Sequence, residues 1–253
     1  MSDVGRWPTD PRQTWLPANR ARSMSWWSDE VRQAVLLSLQ VAFWATLFAM
    51  PVAIWVAHLL ARKRFWGRGL LNALVHLPLI MPPVVTGYFL LNIFGTKGVV
   101  GAWLADIGIV FAFDWTGAAL AASVMAFPLM VRAVRLSMEA VDEGLAEAAS
   151  TLGSSPLAVF WQVRLPLALP GIMTGAMLGF AKSMGEFGAT ITFVSNIPGE
   201  TQTIASAIYA FLQVPGGDGA AMGLALLSVG VSLLALLGSE YLADRMARHK
   251  VRS

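Results

Sequence analysis

The sequence predicts an all-α membrane protein, a polytopic helical bundle, and three observations carry that reading. Of 253 residues, 56% are hydrophobic and 13% charged, where an ordinary soluble domain has roughly 25% charged. Long intervals contain no Asp, Glu, Lys or Arg, and the basic residues gather at the ends of those intervals. Mean hydropathy is +0.62, so a soluble fold would lack the polar residues to cover its surface. This argues against soluble enzymes and nucleic-acid-binding domains. The pI near 9.6 needs no polyanion partner, because the net charge is only +3 and most Lys and Arg flank apolar segments, as membrane anchoring requires. The absence of cysteine removes disulfides, thiolate metal sites and cysteine nucleophiles.

A helix needs about 20 apolar residues to cross the hydrocarbon core, and five spans are expected within a membrane domain covering 33–240. The first, 34–61, lies between Arg32 and Arg62 and contains Pro51, which should kink it. The second, 70–95, contains Pro78, Pro82 and Pro83 and should be broken. The third, 115–136, starts after Asp114 and is short unless Arg132 and Arg135 snorkel. The fourth, 165–194, carries Lys182 and Glu186 in an otherwise apolar, small-residue stretch. Such charges are expensive in a span, but i, i+4 spacing lets the two neutralise each other. Between the fourth and the fifth, 219–240, residues 201–213 have Ile204, Ile208, Phe211 and Leu212 at helical spacing and read as a short helix dipping into the membrane, the alternative being a sixth span.

Residues 1–32 form a polar arm with Pro8, Pro11 and Pro17 and no apolar run, so they are not a secretory signal. Residues 241–253 form a basic tail. Orientation follows from Lys and Arg near the span ends. Arg62, Lys63, Arg64 and Arg68, then Arg132, Arg135 and Arg164, then Arg245, Arg248, Lys250 and Arg252 mark the cytoplasmic side, leaving Lys97 on the other. This places the C-terminus in the cytoplasm and the N-terminus outside, against the dissent of Arg20, Arg22 and Arg32.

The segment 139–166 is too long for a plain helix connector. Its stretch MEAVDEGLAEAASTLG reads as one helix with Leu145, Ala148, Ala149 and Leu152 on a face, stopped by Gly153. Ser155 and Pro156 supply an N-cap and a first-turn proline for a second helix through Phe160 and Trp161. The bland reading is a solvated acidic helix. Yet Glu147-Ala148-Ala149, Gly153, and then Val163-Arg164-Leu165-Pro166 at fixed offsets resemble the EAA loop of binding-protein-dependent ABC importer permeases, with Val163 where the family usually has Ile. The resemblance implies a type I importer transmembrane domain with cytoplasmic coupling helices. It further implies that Glu147, Ala148, Ala149, Gly153, Leu165 and Pro166 couple the chain to a separate ATPase. No lysine follows a glycine anywhere, so the phosphate-cradling loop is absent. No cofactor is expected in this chain, and ATP and Mg belong to the partner.

The resemblance covers approximately residues 34–240. HLPLIMPPVVTGYFLL from His76, SVMAFPLMVRAVRL from Ser123 and GEFGATITFVSNIPGETQT from Gly185 look like the bacterial molybdate permease subunit. Sulfate permeases share the GEFGAT element, here including Gly185, Glu186, Phe187 and Gly188, and the continuation through Asn196, Pro198, Gly199, Glu200 and Thr201 favours molybdate and tungstate. The alternative cargo is sulfate or thiosulfate. Broken helices turn free backbone N–H groups and positive helix ends toward anions. On that basis Pro82, Pro83, Thr86 and Gly87 are expected to wall the pathway, with hydroxyls from Ser123, Thr190 and Thr192. The competing reading of these Gly and Thr residues is close helix packing.

His58 and His76 have no acidic or histidine neighbour in sequence, so no metal site is assigned. An intramembrane enzyme would have to rely on Lys182 and Glu186 and would leave the EAA spacing unexplained, as would a structural scaffold. The resemblance implies a second copy of the chain, two ATPase subunits, a periplasmic oxyanion-binding protein and the lipid bilayer as partners. The expected location is the bacterial inner membrane, with no catalytic residue in the chain and alternating access driven by ATP.

Overall fold

The computed structural model describes residues 29–250; the arm expected over 1–32 lies outside the described residues except for 29–32. Helix α1 (Asp29–Arg62) is 34 residues long, with Asp29 and Glu30 in its first turn and Arg62 in its last, the arrangement that the helix dipole favours. At about 1.5 Å per residue it exceeds the roughly 30 Å hydrocarbon core. Its two faces differ in size of side chain. Ala42, Ala45, Ala49, Ala53 and Ala57 are buried, whereas Leu36, Phe43, Leu47, Phe48 and Trp55 are exposed. Small residues face protein and large ones face outward because, in lipid, close packing rather than apolar burial holds helices together.

The second expected span is two helices, α2 (Arg68–Ile80) and α3 (Pro83–Phe94), bent by 115°. Met81 and Pro82 are extended, with ψ of 146° and 132°, because each precedes a proline that clashes with the helical conformation. Pro83 then opens α3 at a position where its missing N–H costs nothing. A short helix α4 (Gly101–Asp106) leads to α5 (Trp115–Glu139), whose N-cap Asp114 accepts a bond from the Thr116 N–H.

The segment after α5 is α6 (Glu143–Thr151), α7 (Pro156–Val159), a π-helical turn over Phe160–Arg164, and α8 (Leu165–Leu167). The single helix read from Met138 to Gly153 is therefore interrupted. Asp142 breaks it by capping the Gly144 N–H at 2.9 Å, and α6 begins one residue later. The fourth expected span is also divided. Helix α9 (Leu169–Met184) meets the preceding helical stretch at 67°, and α10 (Gly188–Val194) follows the gap at Gly185–Phe187. The short helix expected over 201–213 is α11 (Ile204–Leu212), with a Thr203/Ser206 capping box. The last helix, α12 (Asp218–Lys250), continues through most of the stretch expected as a tail.

Helix α5 lies at the centre. The apolar part of α1 is 33% buried, that of α5 61%. The two run parallel: Val41 and Ala45 cluster with Ala118–Met125, and Met50–Leu60 cluster with Met130–Met138. Helix α9 runs antiparallel along α5. A Cβ on Gly171 would meet Ser137 at 2.2 Å, and one on Gly179 would meet Met130, so glycines set this approach. Helices α11 and α12 pack with Met184 of α9 against the Val31–Ala42 part of α1. There the buried Ser38 Oγ accepts the Ile204 N–H at 2.7 Å, which ties the start of α11 to α1. Among the described residues two helices are long and apolar enough to cross a membrane alone, and up to four if each bent pair counts as one. The chain is a helical multi-pass membrane protein.

Candidate functional site

The two ends of the bundle carry different charge. At the Arg62 end stand Arg62, Lys63, Arg64, Arg68, Arg132, Arg135 and Arg164 against Glu139, Asp142, Glu143 and Glu147; the opposite end has Asp29, Glu30, Asp106, Asp114, Glu200 and Asp218 against Arg32 and Lys97. The α6–α8 module sits on the basic end, where Phe160 packs beside Ala168 in the cluster of Leu60 and Met138. His58 and Phe160 meet edge to face at 4.8 Å.

Within the module, the chain reverses at Gly153, whose φ is +90°. The Ser154 N–H bonds the Ala149 carbonyl at 3.0 Å and the Gly153 N–H bonds that of Ser150 at 3.0 Å, a Schellman closure that favours glycine at this position. Ser155 Oγ then caps the Ala158 N–H at 3.2 Å, as its place before Pro156 predicts. The expected apolar face of α6 is not buried in this chain. Leu145 is 51% exposed and Leu152 87%, while Ala146, on the other side, is buried. Leu157 and Trp161 add to this surface, and Glu147, Ala148 and Pro166 are exposed; Ala149 and Leu165 are half-buried.

Two residues that mark the cytoplasmic side in the sequence, Arg62 and Arg164, hold the module down. The Arg62 guanidinium, 9% exposed, pairs with Glu143 and donates to the carbonyls of Met138 and Val141. Arg164 approaches Glu143 at 3.7 Å. Arg135 bridges Glu139 at 2.8 Å and Asn72 Oδ1 at 3.0 Å. No spacing rule joins Arg62 to Glu143 across 81 residues.

Of the expected pathway residues, Pro83, Gly87 and Thr192 meet at the contact of α3 with α10, whereas Ser123 lies apart on α5. A Cβ on Gly87 would lie 2.4 Å from the Ala189 carbonyl oxygen, and one on Gly188 would lie 2.7 Å from Pro83. Each helix thus presents a glycine to the other. The hydroxyls of Ser123, Thr190 and Thr192 donate to carbonyls of their own chain segment, Leu120, Glu186 and Gly188, at 2.7, 3.4 and 2.9 Å. An oxyanion accepts hydrogen bonds, so protons already engaged favour the packing role for these three. Thr86 differs: it is buried and its Oγ1 has no partner. Ser123 lines a cavity of about 330 Å³ between α1 and α5, walled by Trp44, Phe48, Phe111 and Trp115.

Lys182 and Glu186 pair at 2.6 Å, with side-chain exposures of 31% and 2%. Glu186 also accepts the Ala189 N–H at 3.2 Å, so the neutralised carboxylate caps α10, which the sequence reading did not foresee. Gly185 ends α9 and Phe187 starts α10, its ring 5.1 Å from Tyr209. The stretch from Asn196 to Thr201 is a tight turn. Ile197 O accepts from Glu200, Thr201 and Gln202 N–H groups, Thr201 Oγ1 accepts the Ile197 N–H at 2.9 Å, and Gly199, after Pro198, has φ +81°. Thr201 is fully buried and Asn196 Oδ1 is buried without a partner. Among the described residues no cluster of three or more His, Asp or Glu can hold a metal ion.

Comparison with known proteins adds four findings. Residues 49–248 match the family described as binding-protein-dependent transport system inner membrane component. The molybdenum transport system permease protein ModB of Escherichia coli K12 is 54% identical over 224 residues, 88% of this chain and 97% of that one. The sulfate transport system permease protein CysT of the same strain is 35% identical over 222 residues, 88% and 80% of the two chains. Among solved structures, a bacterial alginate ABC transporter in complex with an alginate pentasaccharide-bound periplasmic protein superposes with TM-score 0.69 at 18% identity, covering 87% of this chain and 80% of that one.

Proposed function

The chain belongs to the family of inner membrane components of binding-protein-dependent transport systems, and from that premise we propose that it is the permease of an ATP-driven importer carrying molybdate, and tungstate with it, into the cytoplasm. The observation that carries the cargo is the gap in likeness. Over nearly the same length, identity is 54% to the molybdate permease and 35% to the sulfate permease. Two copies of the chain form the pathway, a periplasmic oxyanion-binding protein delivers the anion, and two ATPase subunits hold ATP and Mg. This chain supplies no cofactor and no catalytic group.

The exposed apolar rim of Leu145, Leu152, Leu157 and Trp161 supports docking of the ATPase at the α6–α7 turn, around Glu147, Ala148, Ala149 and Gly153, with Leu165 and Pro166 leading back to α9. Seven basic residues at that end support its cytoplasmic placement and an outer N-terminus. Closure of the ATPases would draw the two modules together and reorient the bundle between outward and inward access. The pathway wall runs along α3, with Pro82 and Pro83 setting its angle and Gly87 its contact with α10. Thr86 carries the available donor, since Ser123, Thr190 and Thr192 already spend theirs within the fold.

The test is ATP-driven uptake of labelled molybdate by the reconstituted complex, with unlabelled tungstate and sulfate as competitors. Tungstate should compete and sulfate should not. Sulfate competing as well as tungstate would overturn the cargo, and uptake without ATP would overturn the mechanism.

A further inference from the structure

Helix ends leave their last carbonyls without intrahelical partners, and at the end of α5 one side chain from another element fills that role. The Arg62 guanidinium reaches across to the Met138 and Val141 carbonyls, the latter at 2.7 Å, and pairs with Glu143 in the first turn of α6. Arg62 is itself the last residue of α1. Three elements therefore meet on one planar group: the end of α1, the end of α5 and the start of α6. A charge at the end of α1 would satisfy its dipole in any basic form, and an exposed ion pair alone contributes little. Neither requires the fork of donors that only arginine offers, nor a guanidinium that is 9% exposed.

Below that joint, α1 and α5 run parallel and are packed through buried alanines, so a displacement given to both ends moves the bundle as a body. Above it, α6 continues to the exposed rim and the Gly153 reversal. Along the chain, α5 and α6 are joined by the short turn 140–142. Arg164 approaches the same carboxylate from the returning segment, so Glu143 is held from both sides of the module.

We propose that Arg62 and Glu143 are positioning residues for coupling: the guanidinium locks the first turn of the coupling helix to the ends of α1 and α5, so that movement of the ATPase is delivered to the spans. This inference rests on reading the α6–α7 turn as the ATPase docking site. Arg62→Lys keeps the charge and loses the fork; Glu143→Gln removes the charge at a side chain that is 56% exposed, and Arg62 keeps the Met138 and Val141 carbonyls as partners.

The measurement is molybdate taken up per ATP hydrolysed by the reconstituted complex, alongside yield, thermal stability and co-purification of the ATPase. Both variants should assemble as the parent does and lose roughly three- to ten-fold in uptake per ATP, within the range of mutations along coupling networks. The double variant should be no worse than Arg62→Lys. Wild-type uptake per ATP in Glu143→Gln would overturn the proposal, whatever Arg62→Lys does. Gly153→Val separates the two readings: if it uncouples while Glu143→Gln does not, only the lock fails, and if neither uncouples, the docking site itself is wrong.

Discussion

A Cβ on Gly87 would lie 2.4 Å from a backbone oxygen of the neighbouring helix, whereas one on Gly153 would have nothing within 4 Å. At Gly87 the neighbour demands glycine; at Gly153 the backbone does, with φ at +90°. The same contrast separates the regions around them. The α3–α10 contact is closed within the chain, glycine against helix on both sides. The α6–α7 turn presents Leu145, Leu152, Leu157 and Trp161 to the outside. The α3–α10 contact is specified by what the chain packs against itself, and the α6–α7 turn by its own backbone, with its large apolar side chains left exposed.

The largest effect expected from this contrast is at Gly87. Gly87→Leu forces α3 off Ala189 and Thr192, and overpacking of this kind costs about 1–3 kcal/mol or more. The thermal midpoint of the detergent-solubilised protein should fall and uptake should be lost with it. An unchanged midpoint would mean that the interlock of α3 and α10 does not hold the body together.

Next in size is Lys182→Met. It leaves the nearly buried Glu186 without its cation, a loss of about 1–3 kcal/mol once the partial exposure of Lys182 is discounted. Adding Glu186→Gln should restore most of the stability, because a neutral amide still accepts the Ala189 N–H. A Lys182→Met variant of parental stability that transports nothing would sharpen the comparison differently, moving this pair from the closed body to the pathway.

Sequence reading reached the parts of this design that local chemistry writes. Pro82 and Pro83 announced the break of the second span, Gly153 the reversal, Ser155 the second cap, and the spacing of Lys182 and Glu186 their pairing. It missed the break before α6, although Asp142 before Glu143-Gly144 carried a capping signal of the usual kind. What it could not reach depends on three-dimensional arrangement. The prolines mark a break but not its 115° angle. The joint of Arg62 with Glu143 and the bond of Ser38 to Ile204 cross 81 and 166 residues. Whether a threonine in GATITF donates within its own segment is decided by geometry, and Thr190 and Thr192 donate to the Glu186 and Gly188 carbonyls.

The smallest effect on stability, and the one that separates the regions most cleanly, is expected at Gly153. A β-branched residue at positive φ is strained by about 1–2 kcal/mol, but no neighbour resists its side chain. The strain is confined to a turn at the edge of the molecule, where local opening does not unfold the core. Gly153→Val should therefore insert, solubilise and melt as the parent does. The valine cannot hold the reversal, however, so α7 leaves α6 at a different angle and the exposed leucines no longer share one surface. ATP hydrolysis should lose its stimulation by the loaded binding protein, and uptake should fall with it. A variant that keeps both would show that the open glycine is a feature of the turn alone, and that the surface it shapes meets no partner in the transport cycle.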